Sequence, residues 1–170
     1  ECDALNIETD EVRTFANVEC RFGYRTSFFK QNPEWIILSG RVGLTHGDRG
    51  VSERMVAETI AEREKRHIQN VRAAGSFFMN PVAPRKVQEL FEKEKNTKAR
   101  EGRVPAGWLI EKAGMKGARV GGAVASQQHA DYIVNENNAI AADVRRLADM
   151  IRTEVQAKFK VLLQEEVMTF

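Results

Sequence analysis

Gly75-Ser76-Phe77-Phe78-Met79-Asn80-Pro81 is the stretch that decides most about the fold of this chain. Two adjacent aromatic rings follow the serine, and they require burial, so they fix the segment in a core. The glycine before the serine permits a backbone conformation that other residues rarely adopt, and the closing Asn-Pro pair favours an extended or turn conformation. We therefore expect Ser76 to be held rigidly beside a cleft. A serine that only caps a strand-to-turn junction is the structural alternative.

Length and composition describe an ordinary globular chain. Its 170 residues can bury one core, or one core and part of another. A net charge of +2 gives no argument for nucleic acid, and no apolar run approaches the roughly 20 residues needed to cross a membrane. Cys2 and Cys20 form neither a metal-binding spacing nor a disulfide framework, which is typical of a reducing compartment. We expect a cytoplasmic protein without a metal site, a nucleic-acid partner or a membrane partner.

The periodicity of apolar residues predicts an α+β fold. A polar break over 47–50 is the expected domain boundary, and Ser52 is the expected N-cap of the helix that follows it. The predicted helices span 52–67, a segment that begins at Pro84, 106–113 and 138–159. The predicted strands span 4–7 and 12–15 as a hairpin, 35–44, 119–125, 132–134, 161–163 and 167–169.

Four more blocks accompany the first, and together they are specific. They are Phe22-Gly23-Tyr24-Arg25-Thr26-Ser27-Phe28-Phe29-Lys30, the segment 105–117, Gly121-Gly122-Ala123, and His129-Ala130-Asp131-Tyr132-Ile133-Val134-Asn135. In this order and spacing, the five blocks resemble the UDP-N-acetylenolpyruvoylglucosamine reductase family, also called UDP-N-acetylmuramate dehydrogenase. The resemblance covers nearly the whole chain.

The resemblance implies a reaction and two cofactors. Members of that family use FAD and NADPH to reduce the enolpyruvyl ether of a UDP-sugar to UDP-N-acetylmuramate, in peptidoglycan precursor synthesis. Their flavin is held mostly by an N-terminal domain with a glycine-rich segment, and no such segment occurs in this sequence. We therefore expect 1–46 to be the terminal strands of an incomplete FAD-binding domain. We expect 47–170 to be a substrate-binding C-terminal domain, with helices packed on a small mixed sheet and a last strand that returns to the absent part.

The same resemblance assigns the catalytic residues. Ser76 matches the serine that donates a proton to the substrate. Glu166 matches a glutamate that stabilises the enolic intermediate, with the adjacent Glu165 as its competitor. A solvated pair of glutamates at the start of a strand is the structural alternative for both.

The resemblance also assigns contacts to the substrate and the flavin. Tyr24 is expected to contact the UDP-sugar, and Arg66, with Lys65 as the alternative, is expected to contact its diphosphate. Asn80 is expected to orient the substrate through its amide, and His129 to face it. Gly75 is expected to lie near the flavin. The complete enzyme is expected to be a monomer.

Two other functions compete with the reductase. A catalytically incomplete nucleotide-sugar-binding fragment or scaffold could keep the same fold, and this chain alone is expected to be inactive. A different oxidoreductase could share the flavin architecture, but the Gly-Ser-Phe-Phe block together with Glu166 argues against it.

Overall fold

The structure is a computed structural model that describes residues 1–66 and 71–168, apart from the side chains of Arg63, Lys65 and Arg66. The chain forms two compact units, Glu1–Arg54 and Met55–Phe170. The boundary between them falls within a helix, Arg49–Arg66. The assignment of 1–46 and 47–170 to a flavin domain and a substrate domain stays a prediction, because compactness does not identify what either unit binds.

The first unit is a three-stranded antiparallel sheet with one short helix. The strands lie in the order β2-β1-β3, so the first strand is central. The predicted hairpin is confirmed, whereas the predicted extension of the third strand over 42–44 is wrong because that strand ends at Gly40. The elements are β1 Cys2–Asn6, β2 Val12–Phe15, α1 Phe28–Gln31 and β3 Trp35–Gly40.

The core of the first unit is built around Phe15. The rings of Phe28, Phe29 and Trp35 surround it, with centroids 5.1, 5.2 and 5.0 Å away. Aromatic pairs at this spacing stabilise a core beyond the area they bury. The contacts hold α1 against the sheet and explain why the aromatic residues cluster in the sequence.

Helix α2 spans Arg49–Arg66 and begins earlier than predicted. The Asp48 carboxylate accepts a hydrogen bond from the Val51 N–H at 2.8 Å. Asp is as effective an N-cap as Ser, so the helix starts at the first suitable residue and takes Ser52 inside it. The Ser52 hydroxyl instead donates to the Asp48 carbonyl at 3.0 Å. His67, the predicted end, lies outside the described residues.

The second unit packs helices on another three-stranded sheet, with strand order β4-β5-β6. Helix α5 lies against β4, β5 and α4. The side chains at the centre of its core are fully buried: Leu109, Ile110, Leu147, Ile151 and Val155. The elements are α3 Arg85–Lys95, a 3-10 turn Arg100–Gly102, α4 Ala106–Lys112, β4 Arg119–Val120, β5 Ala123–Ala125, β6 Ile133–Asn135 and α5 Ala141–Phe159.

The α+β class is confirmed, but the small sheet is antiparallel rather than mixed. A parallel pair needs a long crossover, and the turn at Gly121 and Gly122 is far too short for one. The segment 119–125, predicted as one strand, is therefore a hairpin. Gly121 adopts φ +52, and a Cβ on Gly122 would lie 2.3 Å from the Asn137 carbonyl oxygen, so glycine is required at both positions.

The end of the chain departs from the prediction of two strands. Residues 161–168 form no strand, and their only ladder contact among the described residues is an isolated bridge between Glu165 and Phe78. Val161 and Leu163 are buried, so burial alone explains their apolar character. Thr169, in the last predicted strand, lies outside the described residues.

Candidate active site

An extended segment, 76–79, is hydrogen-bonded to two parts of the second unit that are distant from each other in the sequence. On one side, the Phe77 N–H donates to the Asp131 carbonyl at 2.8 Å. On the other, the Met79 N–H donates to the Gln164 carbonyl at 2.8 Å, and the Glu166 N–H donates to the Phe77 carbonyl at 2.9 Å. Three stretches far apart in the sequence therefore meet at the Gly-Ser-Phe-Phe block.

The two phenylalanine rings fix this segment as the sequence predicts. Phe78 is 1% exposed, Phe77 is also buried, and their ring centroids lie 5.0 Å apart. Gly75 adopts φ +89, a conformation that strongly favours glycine, with open space where a Cβ would point. The chain thus bends just before Ser76, which is half-buried.

Ser76 lines an open cleft of about 510 Å³. Volumes of a few hundred to a thousand Å³ are typical of small-molecule sites. The cleft brings Ser76 together with two other residues that the sequence selects, Asn80 and His129. Its walls also contain Lys95, Trp108, Glu111 and Asp131.

Asp131 is a buried carboxyl beside Ser76. It is 3% exposed, and its Oδ1 accepts a hydrogen bond from the Phe78 N–H at 2.9 Å. Burial raises its pKa from 3.8 to about 7, and the nearby charge of Glu166 acts in the same direction. Hydrogen bonds from the backbone of Phe78 and Phe77 and from the Ser76 side chain lower the pKa and oppose that rise.

The two C-terminal glutamates differ in their surroundings. Glu165 forms an ion pair with Arg152 of α5, which ties the end of the chain to that helix. Glu166 is half-buried, and its backbone N–H is bound to Phe77. Its charge raises the pKa of Asp131, so the carboxyls of Glu166 and Asp131 lie close enough to interact. Of the two glutamates, Glu166 is the one that affects the acid beside Ser76.

Asn80 connects the cleft to α4. Its side-chain oxygen accepts a hydrogen bond from the Ala106 N–H at 2.9 Å, at the start of that helix. Its backbone carbonyl accepts another from Arg103 at 2.9 Å. The oxygen of the side-chain amide that is predicted to orient a substrate therefore already binds the start of α4.

His129 lies on a loop that is itself fixed. Its ring centroid is 4.5 Å from that of Tyr132. Ser126 Oγ accepts hydrogen bonds from the backbone N–H groups of Gln128 and His129 at 3.0 and 3.3 Å. The imidazole is therefore held at the wall of the cleft by the turn before β6.

Comparison with known proteins identifies a single family. The family model for the UDP-N-acetylenolpyruvoylglucosamine reductase C-terminal domain matches residues 66–170. The chain belongs to this family. A UDP-N-acetylenolpyruvoylglucosamine reductase from Solibacter usitatus is 31% identical over 92% of this chain and 50% of its own length. One from Pseudomonas aeruginosa is 36% identical over 96% of this chain and 56% of its own length.

A solved structure of the family extends the match to the fold. The crystal structure of UDP-N-acetylenolpyruvylglucosamine reductase (MurB) from Thermus caldophilus superposes with a TM-score of 0.69 and 27% identity. The match covers 99% of this chain and 52% of that one. The chain thus spans about half the length of the family members that it matches.

The remaining substrate contacts expected from the sequence are Tyr24 and Arg66, with Lys65 as the alternative to Arg66. Tyr24 belongs to the first unit, where the Arg25 guanidinium lies 5.5 Å from the centroid of its ring. Arg66 is the last residue of α2. The side chains of Lys65 and Arg66 lie outside the described residues. For this family member, all three contacts stay predictions.

Asp131 is the residue that sequence reasoning missed. It lies within 129–135, one of the five blocks that carry the resemblance, but the sequence predicted no role for it. The available signal is its position: an acidic side chain comes directly before Tyr132 and the buried strand β6, where an apolar residue would be expected.

Over 1–66 and 71–168, no cluster of His, Cys, Asp and Glu has the geometry to hold a metal ion. Within the same ranges, no helix combines the length and the apolar character that spanning a membrane requires.

Proposed function

We propose that this chain is the substrate-binding part of a UDP-N-acetylenolpyruvoylglucosamine reductase. The reaction converts the enolpyruvyl ether of UDP-N-acetylglucosamine to UDP-N-acetylmuramate in peptidoglycan precursor synthesis. The observation that carries the proposal is the position of Ser76, a half-buried hydroxyl beside the cleft with the carboxyls of Asp131 and Glu166 near it. Membership of the family supports the choice of substrate.

The proposed chemistry adds a hydride to one vinyl carbon and a proton to the other. Ser76 delivers the proton from its hydroxyl, at a point where the protein rather than bulk water controls the donor. Glu166 stabilises the enolic intermediate between the two transfers. Both residues are held by the same hydrogen-bonded segment, so their separation is fixed before substrate binds.

FAD and NADPH are the cofactors of this proposal. The reduced flavin supplies the hydride when it is bound. Gly75 fits such a group, because the open space at its Cβ position would let a flat ring come close to the backbone. A glycine-rich phosphate loop is not found among the described residues. We propose that the rest of FAD is held by a region of these longer proteins that this chain does not contain.

The exposed apolar residues of β3 agree with such an additional region. Ile36, Ile37 and Leu38 remain 49%, 49% and 55% exposed in the first unit. Adjacent exposed apolar side chains on one strand are typical of a surface that another element covers. This supports the interpretation of the first unit as the end of a flavin domain.

The UDP-sugar is the proposed occupant of the cleft. Asn80 and His129 would contact it near Ser76, while Tyr24 and Arg66, or Lys65 in place of Arg66, would contact it elsewhere. Lys95 adds a positive charge to the cleft, which suits an anionic ligand.

The protein is proposed to act in the cytoplasm as a monomer. Cys2 and Cys20 are free thiols, as expected in a reducing compartment. Ser76, Glu166, Asn80 and His129 all come from a single chain, so the proposed chemistry requires no second copy.

The test is an assay of the full-length protein that contains this chain. Continuous oxidation of NADPH, beyond the amount that reduces the bound flavin, should require UDP-N-acetylglucosamine enolpyruvate, and the product should be heavier by two hydrogen atoms. Flavin bound to the purified protein should be visible by its absorbance. UDP-sugar binding without NADPH consumption and without bound flavin would favour the non-catalytic fragment or scaffold and would overturn the reductase assignment.

A further inference from the structure

We propose that Asp131 is a positioning residue for Ser76, which holds the serine hydroxyl in place and returns a proton to it after each turnover. This inference rests on the proposed function, because it concerns the proton that Ser76 delivers. It concerns a side chain for which neither the sequence motifs nor the family resemblance gave a role.

The backbone places Asp131 beside Ser76 and prevents it from moving away. The Phe77 N–H binds the Asp131 carbonyl at 2.8 Å, and Ser76 pairs with Tyr132 in an antiparallel bridge. The Phe78 N–H then holds Oδ1 of the carboxyl at 2.9 Å. The Ser76 side chain lowers the pKa of Asp131 through a hydrogen bond, so the two side chains lie close together.

The far side of Asp131 is closed by α4. A Cβ built on Gly107 would lie 3.6 Å from the Asp131 Cβ and 3.5 Å from a ring carbon of His129. These are ordinary van der Waals distances, so Gly107 of α4 lies beside both residues. The carboxyl is buried, and Asp131 is part of the lining of the cleft.

The charges around Asp131 favour a carboxyl that gains and loses a proton near neutrality. Glu166 faces it from the C-terminal segment, and His129 lies two residues earlier on the same loop. Lys95 of α3 and Glu111 of α4 line the same cleft. Burial and Glu166 together raise the pKa of Asp131 to about 7, so both protonation states are populated at cellular pH.

The proton balance of the step is simple. The Ser76 O–H bond breaks as its proton forms a C–H bond with the substrate carbon, which leaves an alkoxide. The Asp131 carboxyl then gives its proton to that alkoxide and becomes a carboxylate, which regains a proton from water in the cleft. A serine alkoxide is a far stronger base than a carboxylate, so the transfer from Asp131 is downhill.

The experiment uses the full-length enzyme with Asp131→Asn and, as a matched surface control, Glu154→Gln on α5. Reduction of the flavin by NADPH should be unchanged in both variants. Reoxidation by substrate should slow about 100-fold in Asp131→Asn only, with KM within about threefold of the parent value. The ionisation near pH 7 in the pH profile of reoxidation should also disappear. Unchanged reoxidation, or slow reoxidation with an unchanged pH profile, would overturn the proposal.

A second measurement does not depend on turnover. The Asp131 carboxyl is followed by 13C NMR as pH is varied, and its signal is assigned by its loss in Asp131→Asn. Because the Ser76 hydrogen bond lowers the pKa of Asp131, Ser76→Ala should raise it. If the pKa of Asp131 is the same in Ser76→Ala and in the parent, the contact between Ser76 and Asp131 is disproved, even if the protein is an active reductase. Conversely, a shifted pKa in a protein that consumes no substrate would disprove the reductase assignment and the relay, and leave only the contact.

Discussion

The backbone N–H of Phe78 donates a hydrogen bond to the buried carboxylate oxygen Oδ1 of Asp131 at 2.9 Å. The bond joins the buried core of the Gly-Ser-Phe-Phe block to the loop that enters β6. The serine on that block and the acid on that loop are consequently held together by the main chain.

The stability of the protein should fall with rising pH because of Asp131. Its folded pKa of about 7 lies above its unfolded pKa near 3.8, so the folded state binds the proton more tightly. The contribution of the protonated group is fully present below about pH 4 and is lost as pH rises through about 7. The difference between the folded and unfolded pKa corresponds to a change on the order of 4 kcal/mol in the free energy of unfolding.

Urea unfolding at several pH values tests this expectation. Asp131→Asn should become more stable relative to the parent as pH increases from 4 to 7, and the difference should level off above that range. The control Glu154→Gln should follow the parent throughout. A constant difference between Asp131→Asn and the parent across this range would contradict the raised pKa.

Glu166→Gln and Glu165→Gln should separate catalysis from stability. Glu165 is paired with Arg152, so its loss should lower the free energy of unfolding by about 1 kcal/mol and leave turnover nearly unchanged. Glu166 has its carboxylate near Asp131, so its loss should lower kcat about 100-fold with little effect on stability. Steady-state kinetics and urea unfolding of both variants would show which glutamate acts in catalysis and which in stability. The reverse pattern would assign the catalytic role to Glu165.

Asn80 should prove to be structural as well as a candidate substrate contact. Asn80→Ala removes the acceptor of the Ala106 N–H and should lower the free energy of unfolding by about 1–2 kcal/mol. Asn80→Asp keeps an oxygen at that position and should recover most of this loss. Thermal or chemical unfolding of the two variants provides the comparison. Equal stabilities for Asn80→Ala and the parent would show that the bond does not hold α4.

Strong local signals explain what the sequence could predict. Phe77 and Phe78 had to be buried, and the long apolar stripe of α5 could only be helical; its members Leu147, Ile151 and Val155 are all fully buried. The order of the five sequence blocks then indicated the family to which the chain belongs. These features are set by residues that are near one another in the chain or share one face of a helix.

Other features depended on long-range pairing and could not be read locally. The apolar residues around Gly121 look like one strand until the close approach of Asn137 requires a turn there. The C-terminal residues have strand character, but the short segment at Ser76 offers them too little edge to form a ladder. The importance of Asp131 emerged only when folding brought residues 53 positions apart, Phe78 and Asp131, together.

The most direct test of the account is the pair of half-reactions in full-length Ser76→Ala, measured by stopped-flow absorbance of the flavin. We predict that NADPH reduces the flavin of this variant at the parent rate. We predict that the enolpyruvyl substrate then reoxidises it more than about 100-fold more slowly, because only that step needs a proton from the hydroxyl. Equal losses in both half-reactions would show that Ser76 is structural, and parent rates in both would remove it from the chemistry altogether.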